Sequence, residues 1–231
     1  NEDAFLFFWN NRNARRKQSG TLVWWFGEFL KTRSSDEDIR LIMHTDPKDP
    51  YGTNLEAVIK AAKIPDGKIL LSPGKYPPEQ MAMLYNSVDC TLNISDAEGF
   101  GLATLESLSC ATPIIATMTG GLQEQVMDDD GNLHGFGLEP VSKSVIGSQQ
   151  VPYIYEDRIT KSGFIEALTE MVDMDPKERQ ELGDRGREYT LSNYNLEKNM
   201  QKWDELLTMV HEKYGSWESR KNYKAWELTK I

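Results

Sequence analysis

The stretch DCTLNISDAEGFGLATLES, residues 89–107, decides the fold of this chain. Its opening, 89–95, is a short and mostly apolar run of strand length, and from Gly101 onward Leu105 and Leu108 recur at helical spacing. Between them Asp96, Ala97, Glu98, Gly99, Phe100 and Gly101 make a strand-to-helix turn. Glycines at 99 and 101 let the backbone approach a ligand closely, and the N–H groups and dipole of the helix start form a seat for an anion. A carboxylate repels a phosphate, so Glu98 and Glu106 belong at such a seat only as acceptors for vicinal hydroxyls. Taken alone, Glu98 equally suits any helix N-terminus and Glu106 any solvated helix face.

Working outward, four more apolar runs flank this one: AFLFFW at 4–9, IRLIMHT at 39–45, KILLS at 68–72 and PIIATM at 113–118. They are mostly continuous rather than alternating, a pattern that suits strands buried on both faces. Amphipathic stretches at 21–32, 53–64, 78–88, 101–111 and 122–127 separate them. Strand and helix therefore alternate five times, which predicts an α/β fold with a doubly wound parallel sheet, whose ligands bind beyond the carboxyl ends of the strands. Residues 132–157 break the rhythm and read as an irregular connection or an edge strand. Helices are expected at 159–174, at 176–192 with Pro176 in the first turn, and at 195–213 with Asn195 as the cap. The expected organisation is a Rossmann-like nucleotide-sugar-binding domain over 1–157, then C-terminal helices over 158–231. The tail from Gly215, with Trp217, Tyr223 and Trp226 among charges, is expected to be helical and to need a surface to lie on.

Composition removes several function classes. A formal charge of −10 and 36 acidic against 26 basic residues oppose general affinity for nucleic acid, which needs surplus Lys and Arg on one face. The longest apolar runs fall far short of the roughly 18 residues of a membrane span. Cys90 and Cys110 have neither metal-ligand nor disulfide spacing, which points to a reducing, cytoplasmic setting. The chain opens on Asn1 followed closely by a core strand, so upstream sequence is expected.

The run EGFGLATLESLSCATPIIA, 98–116, resembles the Glu-x7-Glu motif of the retaining glycosyltransferases of the GT-B fold, in the large group 1 family (family 4) that includes sucrose, glycogen and mannosyl transferases. The likeness extends to the strand at 113–116, to the glycine-rich turn Thr119-Gly120-Gly121, and to Arg12 and Lys17, which follow the first strand where the family keeps an Arg and a Lys. It covers residues 4–128 closely. One departure is Ala111, where the family usually has Gly, a small-for-small change that should leave the turn intact.

What the resemblance implies is a Rossmann-like half of a GT-B fold that binds the donor, with the acceptor domain absent. Arg12 and Lys17 would hold the donor diphosphate in a metal-independent reaction that uses no cofactor. Glu98 would contact the donor sugar, Gly99, Phe100, Gly101 and Leu102 would offer amides to sugar and phosphate, and Glu106 would accept from the ribose. The base should sit at the loop containing Gly74 and Tyr76. Tyr76 is either a stacking platform or a packed loop residue, and Thr119, Gly120 and Gly121 either line the crevice or simply turn the chain. Arg15 and Arg16 read as surface or linker residues, and His44 as structural rather than catalytic. The partners implied are a nucleotide sugar, an acceptor of unknown class and a preceding GT-B domain, the last being the candidate for any peripheral membrane contact. Three rivals remain: a non-catalytic nucleotide-sugar-binding module, a sugar-nucleotide epimerase, and a dinucleotide-dependent oxidoreductase. The last lacks a G-x-G-x-x-G turn after its first strand.

Overall fold

The structure, a computed structural model, describes residues 4–221. Five of its strands follow the apolar runs: β1 (Phe5–Asn10), β2 (Ile39–His44), β3 (Ile69–Ser72), β4 (Cys90–Asn93) and β5 (Ile114–Thr117). With β6 (Gly135–Leu138) they form one parallel sheet in the order β3-β2-β1-β4-β5-β6. The helices between them are α1 (Ser19–Thr32), α2 (Leu55–Ala61), α3 (Pro78–Asn86), α4 (Leu102–Ser109) and α5 (Leu122–Val126).

β1 shows why these runs are apolar throughout. Phe7 and Trp9 face a core shared with Leu22, Val23, Phe26 and Phe29 of α1, at the i, i+1, i+4, i+7 spacing of one helix face. Phe8 points the other way, onto Tyr85 and Val88. A strand covered on both faces favours apolar side chains along its whole length.

The interval 132–157 supplies β6 at the sheet edge and an antiparallel hairpin of β7 (Ser142–Val145) and β8 (Tyr155–Arg158). α6 (Lys161–Asp173) returns Phe164, Leu168 and Met171 to the main core. α7 (Pro176–Asn193) follows.

The chain divides into two compact units, residues 1–190 and 191–231. The second contains α8 (Leu196–Tyr214), whose cap Asn195 accepts from the Lys198 amide at 3.0 Å. The helix expected from Gly215 is corrected over 216–221: Gly215 stops α8 at φ +77, and Ser216 and Ser219 close a hydrogen-bonded turn. Tyr223 and Trp226 lie outside the described residues. Among the described residues no helix is long and apolar enough to cross a membrane.

Candidate active site

The site lies where the strand order reverses, between β1 and β4, at their carboxyl ends. After β4, Asn93 Oδ1 accepts from both the amide (3.2 Å) and the hydroxyl (2.6 Å) of Ser95, which turns the chain into the 96–101 loop. Gly101 ends that loop at φ +90, and a Cβ there would lie 2.8 Å from Thr104 Oγ1 and collide with Leu122. Only glycine fits this helix start. Gln125 fastens the loop from α5, donating to the Phe100 carbonyl at 2.7 Å.

The 119–121 turn lies directly beneath. A Cβ on Gly120 would strike the Glu98 carbonyl, and one on Gly121 would stand 2.8 Å from Phe100 Cα, while Thr119 is buried. The absence of side chains at 120 and 121 thus lets one turn pack under the other and hold up the backbone of the Glu98 loop.

On the β1 side, Asn10 ends the strand and a 3-10 turn at Arg15–Lys17 leads into α1. Buried Asn13 braces this loop: its Oδ1 accepts from Ser19 Oγ (2.6 Å) and the Thr53 amide (3.1 Å), and its Nδ2 donates to the Thr53 carbonyl (2.7 Å). The Asp96 amide donates to the Arg16 carbonyl at 2.8 Å, joining the two loops through backbone.

Lys17 and Glu98 meet across this joint as an ion pair, with side chains only 10% and 11% exposed. Burial pushes the Lys17 ammonium below its ordinary value, and the bond to Glu98 opposes that shift. Lys17, Glu98, Phe100, Gly101, Leu102 and Glu106 line one open cleft of about 390 Å³ together with Asn10 and Asn11. The Asn11 Nδ2 is buried there without a hydrogen-bond partner among the described residues. The two asparagines were not singled out in the sequence, where an Asn pair after a strand reads as an ordinary turn. Glu106 is exposed on α4, and one of its oxygens accepts from the Tyr85 hydroxyl at 2.9 Å.

Other expected residues fall elsewhere. Arg12 turns away from the cleft: its Nε donates to Asp49 Oδ2 at 2.7 Å, and the guanidinium lies 5.1 Å from the Tyr51 ring centre. Asp49 holds that guanidinium above its ordinary value. Tyr76 stacks on His44, with ring centres 5.0 Å apart, and Ser72 Oγ lies 3.0 Å from His44 Nδ1 and 3.3 Å from the Tyr76 hydroxyl. Gly74 lies against the same ring, since a Cβ there would be 3.0 Å from it. Tyr76 borders a separate hollow of about 350 Å³ with Gln80, Met83 and Leu84.

Arg15 and Arg16 lie at the surface as expected, and each is tied down by a partner. Arg15 makes a bidentate pair with buried Glu156 of β8 (2.8 and 2.5 Å), and Arg16 donates to the Ala97 carbonyl at 2.7 Å beside Glu98. Arg158 completes the network, pairing with Asp96 at 2.9 Å and with Glu156 at 3.1 Å. The loop that carries Lys17 is therefore held from the hairpin as well as from β4. No group of three or more His, Cys, Asp or Glu placed to hold a metal ion exists among the described residues.

The arrangement brings a nearly buried cation and two carboxylates to one cleft beside residues 100–102. Residues 28–189 match the family described as glycosyl transferases group 1. The D-inositol 3-phosphate glycosyltransferase of Acidothermus cellulolyticus is 32% identical over 117 residues, which are 49% of this chain and 26% of that protein. The enzyme of the same name from Corynebacterium jeikeium is 46% identical over 64 residues, 28% of this chain and 15% of that one. The chain thus spans well under half the length of these curated relatives.

Solved structures share the fold. Sucrose-phosphate synthase from Thermosynechococcus elongatus superposes with a TM-score of 0.70 at 22% identity, over 92% of this chain and 47% of that one. HepE of Anabaena, in complex with UDP and glucose, gives 0.67 at 14% identity, over 90% and 49%. The C-terminal domain of a group 1 glycosyl transferase from Francisella tularensis gives 0.62 at 20% identity, over 83% of this chain and 87% of that domain. With the family matched across most of its length and the sheet order of half a GT-B enzyme, the chain belongs to the glycosyl transferases group 1.

Proposed function

We propose that this chain is the donor-binding half of a retaining glycosyltransferase that moves a sugar from a nucleotide diphosphate sugar to an acceptor hydroxyl. The observation that carries the reading is the meeting of Lys17 and Glu98 over a single cleft at the β1/β4 switch point, with Glu106 on the same wall. Lys17 faces the diphosphate, together with the amides of Gly99, Phe100, Gly101 and Leu102. Arg12, whose side chain is 62% exposed, joins it by leaving Asp49. Glu98 accepts from the sugar hydroxyls and Glu106 from the ribose. As the bond from the anomeric carbon to the diphosphate breaks, negative charge grows on the leaving oxygen, where the fixed cation and amides stabilise it. No metal is assigned a part in this scheme.

The acceptor is assigned to a preceding domain. A nucleotide sugar as donor agrees with the UDP and glucose held by the Anabaena relative. Calorimetry with UDP, GDP and ADP on the chain and on a Lys17→Ala, Glu106→Ala double variant tests the reading. Binding that is lost in the variant supports it, and equal affinity in both would sink it.

A further inference from the structure

Beneath the cleft lies a short polar chain that the reading above does not use. Tyr85, on α3, is 1% exposed, and its ring meets Phe8 edge to face with centres 5.1 Å apart. Its hydroxyl receives a hydrogen bond from Asn10 Nδ2 at 2.8 Å and donates one to Glu106 Oε2 at 2.9 Å. The order of donors is thus fixed: the Asn10 amide can only give, so the phenol must pass its own proton forward. Glu106 Oε1 has no partner among the described residues. Burial and the nearby carboxylate push the Tyr85 phenol well above its ordinary value, so the hydroxyl always carries the proton it donates.

Glu106 stands on the exposed face of a helix, where a carboxylate would ordinarily swing among several rotamers. A buried phenol, locked by Phe8 and Asn10, takes up one oxygen and fixes the orientation of the other. We propose that Tyr85, ordered by Asn10, is the positioning residue that holds Glu106 ready to accept from ribose hydroxyls. The proposal rests on the reading of Glu106 as the ribose acceptor. It assigns Tyr85 a role in recognising the nucleotide rather than in core packing alone.

Calorimetry on the 231-residue chain tests it. The tightest binder among UDP, GDP and ADP is compared with its 2′,3′-dideoxy analogue and with inorganic pyrophosphate. Deleting the ribose hydroxyls should weaken binding about tenfold, the scale of a hydrogen bond to a charged group. Glu106→Ala should erase that difference. Tyr85→Phe keeps the ring and its packing, so it should shrink the same ratio toward one while leaving pyrophosphate affinity unchanged. Asn10→Asp, which competes for the phenol proton, should shrink it too, and it decides the matter if Tyr85→Phe does not fold. A full ratio in these variants, with the ratio lost in Glu106→Ala, overturns the positioning role and leaves the donor site standing. No binding by any of the three nucleotides, or a ratio untouched by Glu106→Ala, overturns both.

Discussion

Lys17 and Glu98, 81 positions apart in the chain, form one nearly buried ion pair that joins the loop after β1 to the loop after β4. The pair gives the cleft a cation and an anion at one point, each holding the other in place. Lys17→Met keeps the aliphatic stem and removes the charge. It should lower nucleoside diphosphate affinity about tenfold or more, and destabilise the fold by roughly 1–3 kcal/mol because nearly buried Glu98 keeps only the more distant Arg16, 3.5 Å away. Calorimetry and urea unfolding of the same variant measure the two effects. Unchanged affinity would remove Lys17 from the site.

Tyr76 stacks on His44 with one ring face still partly open. If that face receives the base, Tyr76→Ala should weaken nucleoside diphosphate binding about fivefold, close to 1 kcal/mol, and leave pyrophosphate binding alone. An equal loss for both ligands would show that the ring only supports the loop.

Ala111 adopts φ +58 at the end of α4, a left-handed conformation that costs an L-residue roughly 1–2 kcal/mol. The turn forms as the sequence led us to expect, but under strain. Ala111→Gly removes the Cβ conflict and adds freedom to the unfolded chain, so the net gain should be about 0.5–1 kcal/mol. A urea midpoint that falls would contradict this.

His134 is buried in a stack with Tyr189, with Nδ1 3.2 Å from the Gln125 carbonyl and Nε2 3.9 Å from Asp128. Burial lowers its pKa from the ordinary 6.5, more than the Gln125 carbonyl and Asp128 raise it, and Arg185 lowers it further. Burial also lowers His44. Between the folded value and 6.5 the unfolded chain binds the proton and the folded one does not, so stability falls as pH drops below 6.5 and is intact above it. Unfolding at about pH 7.5 and about pH 5.5 should show this loss, and His134→Gln should reduce it, leaving the share of His44. A slope identical in the variant would put the pH dependence elsewhere.

Five of the six strands were legible because each lies in a mostly unbroken apolar run, as at Phe7, Phe8 and Trp9 of central β1. β6 was legible only as one of two alternatives, an edge strand or an irregular connection, since Gly135 and Gly137 break its apolar pattern and its membership comes from pairing with β5. At the cleft, glycine spacing and carboxylates of the 98–106 turn could be read locally. The bonds of Arg15 to Glu156, 141 residues away, and of Tyr85 to Glu106 across two helices could not, because nothing near those residues in sequence hints at the partner. Arg12 shows the same limit: its position after β1 could be read from the sequence, but its pairing with Asp49, 37 residues away, could not.

β1 sits in the middle of the sheet, yet its two neighbours are made at different times. During synthesis β2 and β3 can pair as soon as they emerge, while the other side of β1 stays bare until β4 follows, some eighty residues after β1. For that interval the nascent chain carries an open edge of unpaired β1 backbone groups. Such an edge invites pairing with other chains, so yield of the intact protein should depend on how quickly β4 arrives and on what shields the half-sheet before it does.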